Sequence, residues 1–181
     1  MVRFARASPV LGAIILLLTV LGTVGWSSEG VLEDIPAPPS ADRAVFADEP
    51  LPEHRWTGVV TVEATVRWDR DDVWVAIVDE AEVERCANEP ISAFFQRCVS
   101  TDLDAVAMGE AGTGEDGLTW VVRPGVHYAG YGSVEAPPDL SMDIEWEVHA
   151  RLNGAATAML LLISVGLFAV GVLERVHSTP S

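Results

Sequence analysis

The chain has 181 residues, of which 27 are Asp or Glu and 11 are basic, every one of the latter Arg, for a formal charge of −16. Once two apolar stretches are set aside, the rest has room for one small soluble domain, which excludes a large multidomain enzyme. Binding a polyanion takes clustered Lys or Arg, so nucleic acid is excluded as a partner.

Residues 1–8 carry Arg3 and Arg6 and read as a cytoplasmic N-terminus. Residues 9–26 follow with a charge-free run, PVLGAIILLLTVLGTVG, that approaches the ~20 residues needed to cross a bilayer. The same stretch has the layout of a signal peptide, with basic residues ahead of an apolar run. It offers no Ala-x-Ala triplet, only Thr23-Val24-Gly25 before Trp26, which favours a retained anchor.

Residues 27–55 shift to Pro, Ala, Ser and acid, as in Ile35-Pro36-Ala37-Pro38-Pro39-Ser40. Such a stretch buries too little apolar surface to fold alone and reads as an extended spacer, partly polyproline II, with Val45 and Phe46 available to dock.

Residues 56–152 read as a β-sandwich. Val60, Val62, Ala64, Val66 and Trp68 alternate with polar residues, the pattern of a half-buried strand. Asp69-Arg70-Asp71-Asp72 makes a turn, and the run from Val73 to Val78 fits a strand buried on both faces, so the two strands are expected to form a hairpin. Glu80 to Cys98 reads as a strand followed by a loop or short helical turn, with Ile91, Phe94 and Phe95 at helical spacing.

Further strands are expected at Ala105 to Met108, Leu118 to Val122 and Val126 to Tyr131, divided by Gly-, Pro- and Asp-rich turns such as Ala136-Pro137-Pro138-Asp139. In the last strand Met142, Ile144, Trp146 and Val148 share one face and Asp143, Glu145, Glu147 and His149 the other. Trp26 and Trp146 lie near the outer ends of the two apolar stretches, where indole rings favour the headgroup level. The regular alternation around Trp146 equally makes it a core residue of its strand.

Residues 154–173 are free of charge and long enough to cross a bilayer as a helix, and residues 174–181 form a cytoplasmic tail. Arg3 and Arg6 place the N-terminus inside by the positive-inside rule, and two crossings then put the middle outside. That external part holds 8 Arg against 26 acidic residues, a formal −18. The expected location is the plasma membrane, with two spans and an extracytoplasmic main domain.

Cys86 and Cys98 are the only cysteines, with eleven residues between them, and an external location permits a disulfide. Free thiols or half of a metal site are the alternatives. Zinc would want Cys or His pairs closely spaced, whereas His54, His127, His149 and His177 stand singly, and no metal site is expected. Asp69, Asp71 and Asp72, with Asp79 and Glu80 beyond the next strand, could offer oxygen ligands to Ca²⁺, but the spacing matches no calcium loop and a solvated turn accounts for it. No nucleophile elbow or phosphate-binding loop occurs, so no catalytic residue, cofactor or enzyme activity is expected.

Two resemblances follow from these residues. Abundant Asp and Glu without Lys resembles the proteins of extreme halophiles, since at about 1 M salt the Debye length is only about 3 Å and crowded carboxylates scarcely repel. The whole chain thus looks like a small haloarchaeal membrane protein. Trp120-Val121-Val122-Arg123-Pro124-Gly125-Val126-His127-Tyr128 resembles the strand, Pro-Gly turn and aromatic strand of membrane-anchored β-sandwiches, including the GOLD-type ectodomains of cargo receptors. It covers about ten residues and implies fold only. Those receptors typically carry one span with a sorting tail, so cargo binding is not implied here.

The expected role is that of a non-enzymatic cell-surface protein whose sandwich meets another envelope protein or serves as an accessory subunit. One alternative is a sensor or transport accessory that binds a small ligand or cation at Asp69 to Asp72, and a second is a membrane-bound enzyme, for which the sequence offers no site.

Overall fold

Local sequence accounts for most of the secondary structure. A computed structural model describes residues 2–36, 38, 44–56, 58–88, 98–135 and 141–177. The elements run α1 (Val2–Val24), β1 (Trp26–Pro36), β2 (Val45–Phe46), β3 (Val60–Trp68), β4 (Val73–Asp79), α2 (Glu80–Asn88), β5 (Ala105–Gly109), β6 (Leu118–Val121), β7 (His127–Ser133), β8 (Ser141–Leu152) and α3 (Gly154–His177). The chain divides into two compact units, one of Met1–Ser27, Trp56–Val62 and His149–Ser181, the other of Ser28–Arg55 and Glu63–Val148.

The second unit is mainly β, with two four-stranded antiparallel sheets in the orders β1-β8-β3-β6 and β2-β7-β4-β5. Trp68, Leu118, Trp120 and Met142 of the first sheet meet Val73, Val75 and Ile77 of the second in one buried cluster, the arrangement of a sandwich. On the opposite face of β4, Trp74, Ala76 and Val78 are buried with Cys98 and Leu103, and Phe46, Val83 and Cys86 pack against them. The run from Val73 to Val78 is therefore buried on both faces, as its unbroken apolar sequence implies. Trp146 lies over Gly30 and Trp74 over Gly132 of the adjacent strand, and Trp68 lies over Gly109 of the opposite sheet, where a methyl group would collide with the ring.

The expected hairpin of β3 and β4 does not form. β3 pairs with β6 in one sheet and β4 pairs with β5 and β7 in the other, so the acidic turn carries the chain between layers. The corner is held by Trp68, whose Nε1 donates to the Val73 carbonyl at 2.9 Å within the core. A strand needing cover on both faces gains more from the centre of the second sheet than from a hairpin edge. The Pro124-Gly125 turn likewise joins strands of different sheets, with Gly125 at φ 126°.

The Pro-rich stretch differs from a spacer. β1 is an edge strand beside β8, and β2 pairs with β7 through Val45↔Tyr131 and Phe46↔Gly130. The Ala47 and Leu51 amides donate to Ala129 and His127 carbonyls at 2.9 and 2.7 Å, and Tyr131 Oη donates to Pro36 O at 3.1 Å. The backbone of residues 26–36 is extended, and its strand partner comes from distant sequence. Residues 80–88 form a helix, not a strand, because Asp79 Oδ1 accepts the Glu82 amide at 2.9 Å and caps the first turn. Ile91, Phe94, Phe95 and the turn at 136–139 lie outside the described residues.

In the first unit α1 ends at Gly25, whose amide donates to Leu21 O at 3.1 Å with φ 80°, a left-handed cap that glycine takes without strain. α3 starts at Asn153, whose Oδ1 accepts the Ala156 amide at 2.8 Å. Among the described residues one helix is long and apolar enough to cross a membrane, Gly154–Leu173 with mean hydropathy 2.4, and Ser8–Val24 is a shorter apolar helix.

Candidate functional site

The acidic turn is the first candidate, and the Asp69 and Asp72 carboxylates in it are engaged by the chain itself. Asp72 receives Arg70 Nε and Nη2 at 2.9 and 2.6 Å. This bidentate bond holds the Asp72 carboxyl below its ordinary range and raises the Arg70 guanidinium. Asp69 Oδ1 accepts the Asp143 amide at 3.0 Å, and Asp143 Oδ1 accepts the Asp34 amide at 3.0 Å. Asp79 lies at the other end of seven-residue β4, roughly 20 Å away at 3.3 Å per residue, where it caps α2. Among the described residues no three His, Cys, Asp or Glu side chains gather as a metal site.

The second candidate is the cystine. Cys86 and Cys98 are bonded, with Cα atoms 5.9 Å apart, as their number and spacing imply. Beside them Glu82 is 6 % exposed and receives Arg85 Nε and Nη2 at 2.8 and 2.6 Å. Glu82 Oε1 also accepts the Asp104 amide at 2.9 Å, and Arg85 Nη2 reaches Asp102 O at 3.0 Å. The Arg85 bond holds the Glu82 carboxyl below its usual value against the opposing effect of burial. Cys98 O accepts the Ala44 amide at 2.8 Å, so the region is fastened to α2 and to the segment before β2. The sequence signal for this lock was Asp79-x-x-Glu82 with Arg85 three residues on, a cap followed by an ion pair. It is a structural clamp that ties α2 to the segment around Asp102 to Asp104.

The third candidate is the pairing of α1 with α3. Ser164 is 1 % exposed and its Oγ donates to Gly12 O at 2.9 Å, while Ser8 Oγ donates to Leu167 O at 3.3 Å. A Cβ at Gly12 would stand 3.2 Å from Ser164 O and 3.3 Å from Leu167 Cβ, and one at Gly171 would stand 3.0 Å from Pro9 Cδ. Ser8 and Pro9 thus face Gly171, and Gly12 faces Ser164, so the helices run antiparallel. Thr19 and Ala156 are buried as well, at 1 % and 5 % exposure. Leu162, Val165 and Leu17 point away, at 74 %, 64 % and 60 % exposure.

Small and hydroxylated residues between the helices with Leu, Ile and Val outside is the reverse of a water-soluble helix pair. Trp146 covers Gly30 in the sheet, the strand role its alternation implied. Trp56, which the sequence reading passed over, is 71 % exposed, and Trp26 is 66 % exposed.

No family model and no curated protein matches the chain. Among solved structures, a chain from the crystallographic structure of tomato aspermy virus is similar, with a TM-score of 0.35 and 13 % identity over 73 % of this chain and 80 % of that one. A likeness of that degree carries no argument about function.

Proposed function

We propose that this chain is an integral membrane protein in which α1 and α3 cross the bilayer as an antiparallel pair. The acidic sandwich lies on the extracytoplasmic side and acts by contact with another envelope protein or as an accessory subunit, without catalysis. The observation that carries the reading is the reversed packing of the helix pair, with Ser8, Gly12, Ser164 and Gly171 inside and Leu17, Leu162 and Val165 outside. In lipid such helices associate through close backbone approach and interhelical hydrogen bonds, and their apolar side chains face hydrocarbon.

Arg3 and Arg6 favour an inside N-terminus, which leaves the cystine on the oxidising side. The Lys-free acidic surface suits a medium of high salt, as in a haloarchaeon. A contact role is supported by the way the second unit spends its polar groups, since Asp69, Asp72, Glu82 and Asp143 fix the chain's own backbone or Arg side chains and Asp34 accepts the Ser141 hydroxyl.

Orientation is tested by reducing intact cells and adding a membrane-impermeant thiol reagent. Cys86 and Cys98 should label from outside, and labelling only after lysis would reverse the orientation. The role is tested by purifying the full chain in mild detergent at molar salt. A stoichiometric partner lost on substituting exposed sandwich residues supports it, and a lone monodisperse chain removes it.

A further inference from the structure

Three segments of the first unit meet where α1 ends and α3 begins. A Cβ at Gly25 would stand 2.5 Å from Ala150 O and 3.1 Å from Arg151 Cβ, so the end of α1 abuts the end of β8. The Asn153 amide donates to Val59 O at 2.9 Å, which brings in the turn before β3. That turn is closed by the Val59 and Val60 amides, which donate to Trp56 O at 2.9 and 2.8 Å.

The side chains offered by this junction are Val24, Trp26, Trp56 and Val59, at 69 %, 66 %, 71 % and 43 % exposure, together with exposed Arg151. Two indole rings left in the open are costly in water. Their chemistry, apolar rings with one N–H donor each, on a junction that also carries Arg151, matches the ester and phosphate level of a phospholipid layer. The junction is also continuous with two apolar helices, which fixes what lies on one side of it. Attraction between charges does not explain it, because the chain is strongly acidic.

We infer that the junction is a lipid-binding collar, in which Trp26 and Trp56 lie in the headgroup region of a phospholipid bilayer and fix the depth of the helix pair. This rests on the proposal that the helices cross the membrane.

The test reconstitutes the full chain and its Trp26→Phe/Trp56→Phe variant into phosphatidylcholine vesicles brominated either close to the headgroup or near the chain ends. Both chains are floated with the vesicles before measurement. Trp68, Trp74 and Trp120 are buried and Trp146 packs on Gly30, so they are shielded from bromine. With two rings of six in contact, shallow bromine should remove about a third of wild-type emission, deep bromine clearly less, and the double variant should lose most of the effect. Chains that float but quench equally with and without the substitutions, or a floating wild type that does not quench, would overturn the collar alone. Chains that fail to float would overturn the membrane-span reading and the collar with it.

Discussion

Replacing Glu82 with Gln should weaken the sandwich by about 1–2 kcal/mol at neutral pH, for reasons that can be followed bond by bond. Glu82 is nearly buried and accepts three hydrogen bonds, two from Arg85 at 2.6 and 2.8 Å and one from the Asp104 amide at 2.9 Å. Hydrogen bonds to charged groups contribute about 1.5–3 kcal/mol and neutral ones about 1 kcal/mol, and Gln turns the charged set into a neutral and partly mismatched one. The Arg85 side chain is 35 % exposed and regains hydration when its partner is removed, which keeps the loss below that of a fully buried pair. Glu82→Ala should cost about 2–4 kcal/mol, because the Asp104 amide then lacks an acceptor too.

The assay is urea unfolding of the full chain in detergent at fixed salt, followed by emission of the buried Trp residues. The pH dependence supplies a second check. The folded pKa of Glu82 is held below its ordinary value of 4.5, so its contribution is fully present above that value and disappears as pH falls through the folded pKa. The Gln variant lacks this contribution, and the wild-type and variant curves should converge in acid. Asp72 titrates in both proteins and cancels from the difference. A gap under about 0.5 kcal/mol at neutral pH, or one that widens in acid, would refute the clamp.

Removing the cystine by Cys86→Ala with Cys98→Ala should cost about 3 kcal/mol on the chain-entropy estimate for a 12-residue separation, read from the same urea curves, and a loss below about 1 kcal/mol would contradict it. Trp68→Phe removes the indole donor and strands the buried Val73 carbonyl, so unfolding should shift by about 1–3 kcal/mol, whereas an unchanged midpoint would show that the corner does not depend on that bond. Gly12→Leu should pry α1 from α3 and break the Ser164 hydrogen bond, which hydrogen exchange in detergent would register as faster exchange along both helices. Gly166→Leu, which meets open space, should leave exchange unchanged.

What the sequence disclosed depended on whether the deciding contact was local. The six apolar residues from Val73 to Val78 declare a strand covered on both sides, and the alternation from Met142 to Val148 declares one with a wet face, because periodicity is a local property. Whether β3 and β4 pair or part is settled elsewhere, by Trp68 at the corner and by β7 and β5 claiming both edges of β4. The prolines of the 27–55 stretch announce extended chain but not the sheets that receive it, since β1 finds β8 more than a hundred residues later. Glu82 was visible as the fourth residue of a capping pattern, yet in so acidic a chain its burial could be learned only from the fold. The same crowding hid from the sequence that Asp72 serves Arg70 and Asp69 the Asp143 amide.

The placement of α1 and α3 in lipid is tested most directly by alkaline carbonate extraction of membranes from cells expressing the full chain, followed by ultracentrifugation. An integral helix pair stays with the pelleted bilayer, which is the expected result. Recovery of the chain in the supernatant, with the sandwich still folded, would contradict the account.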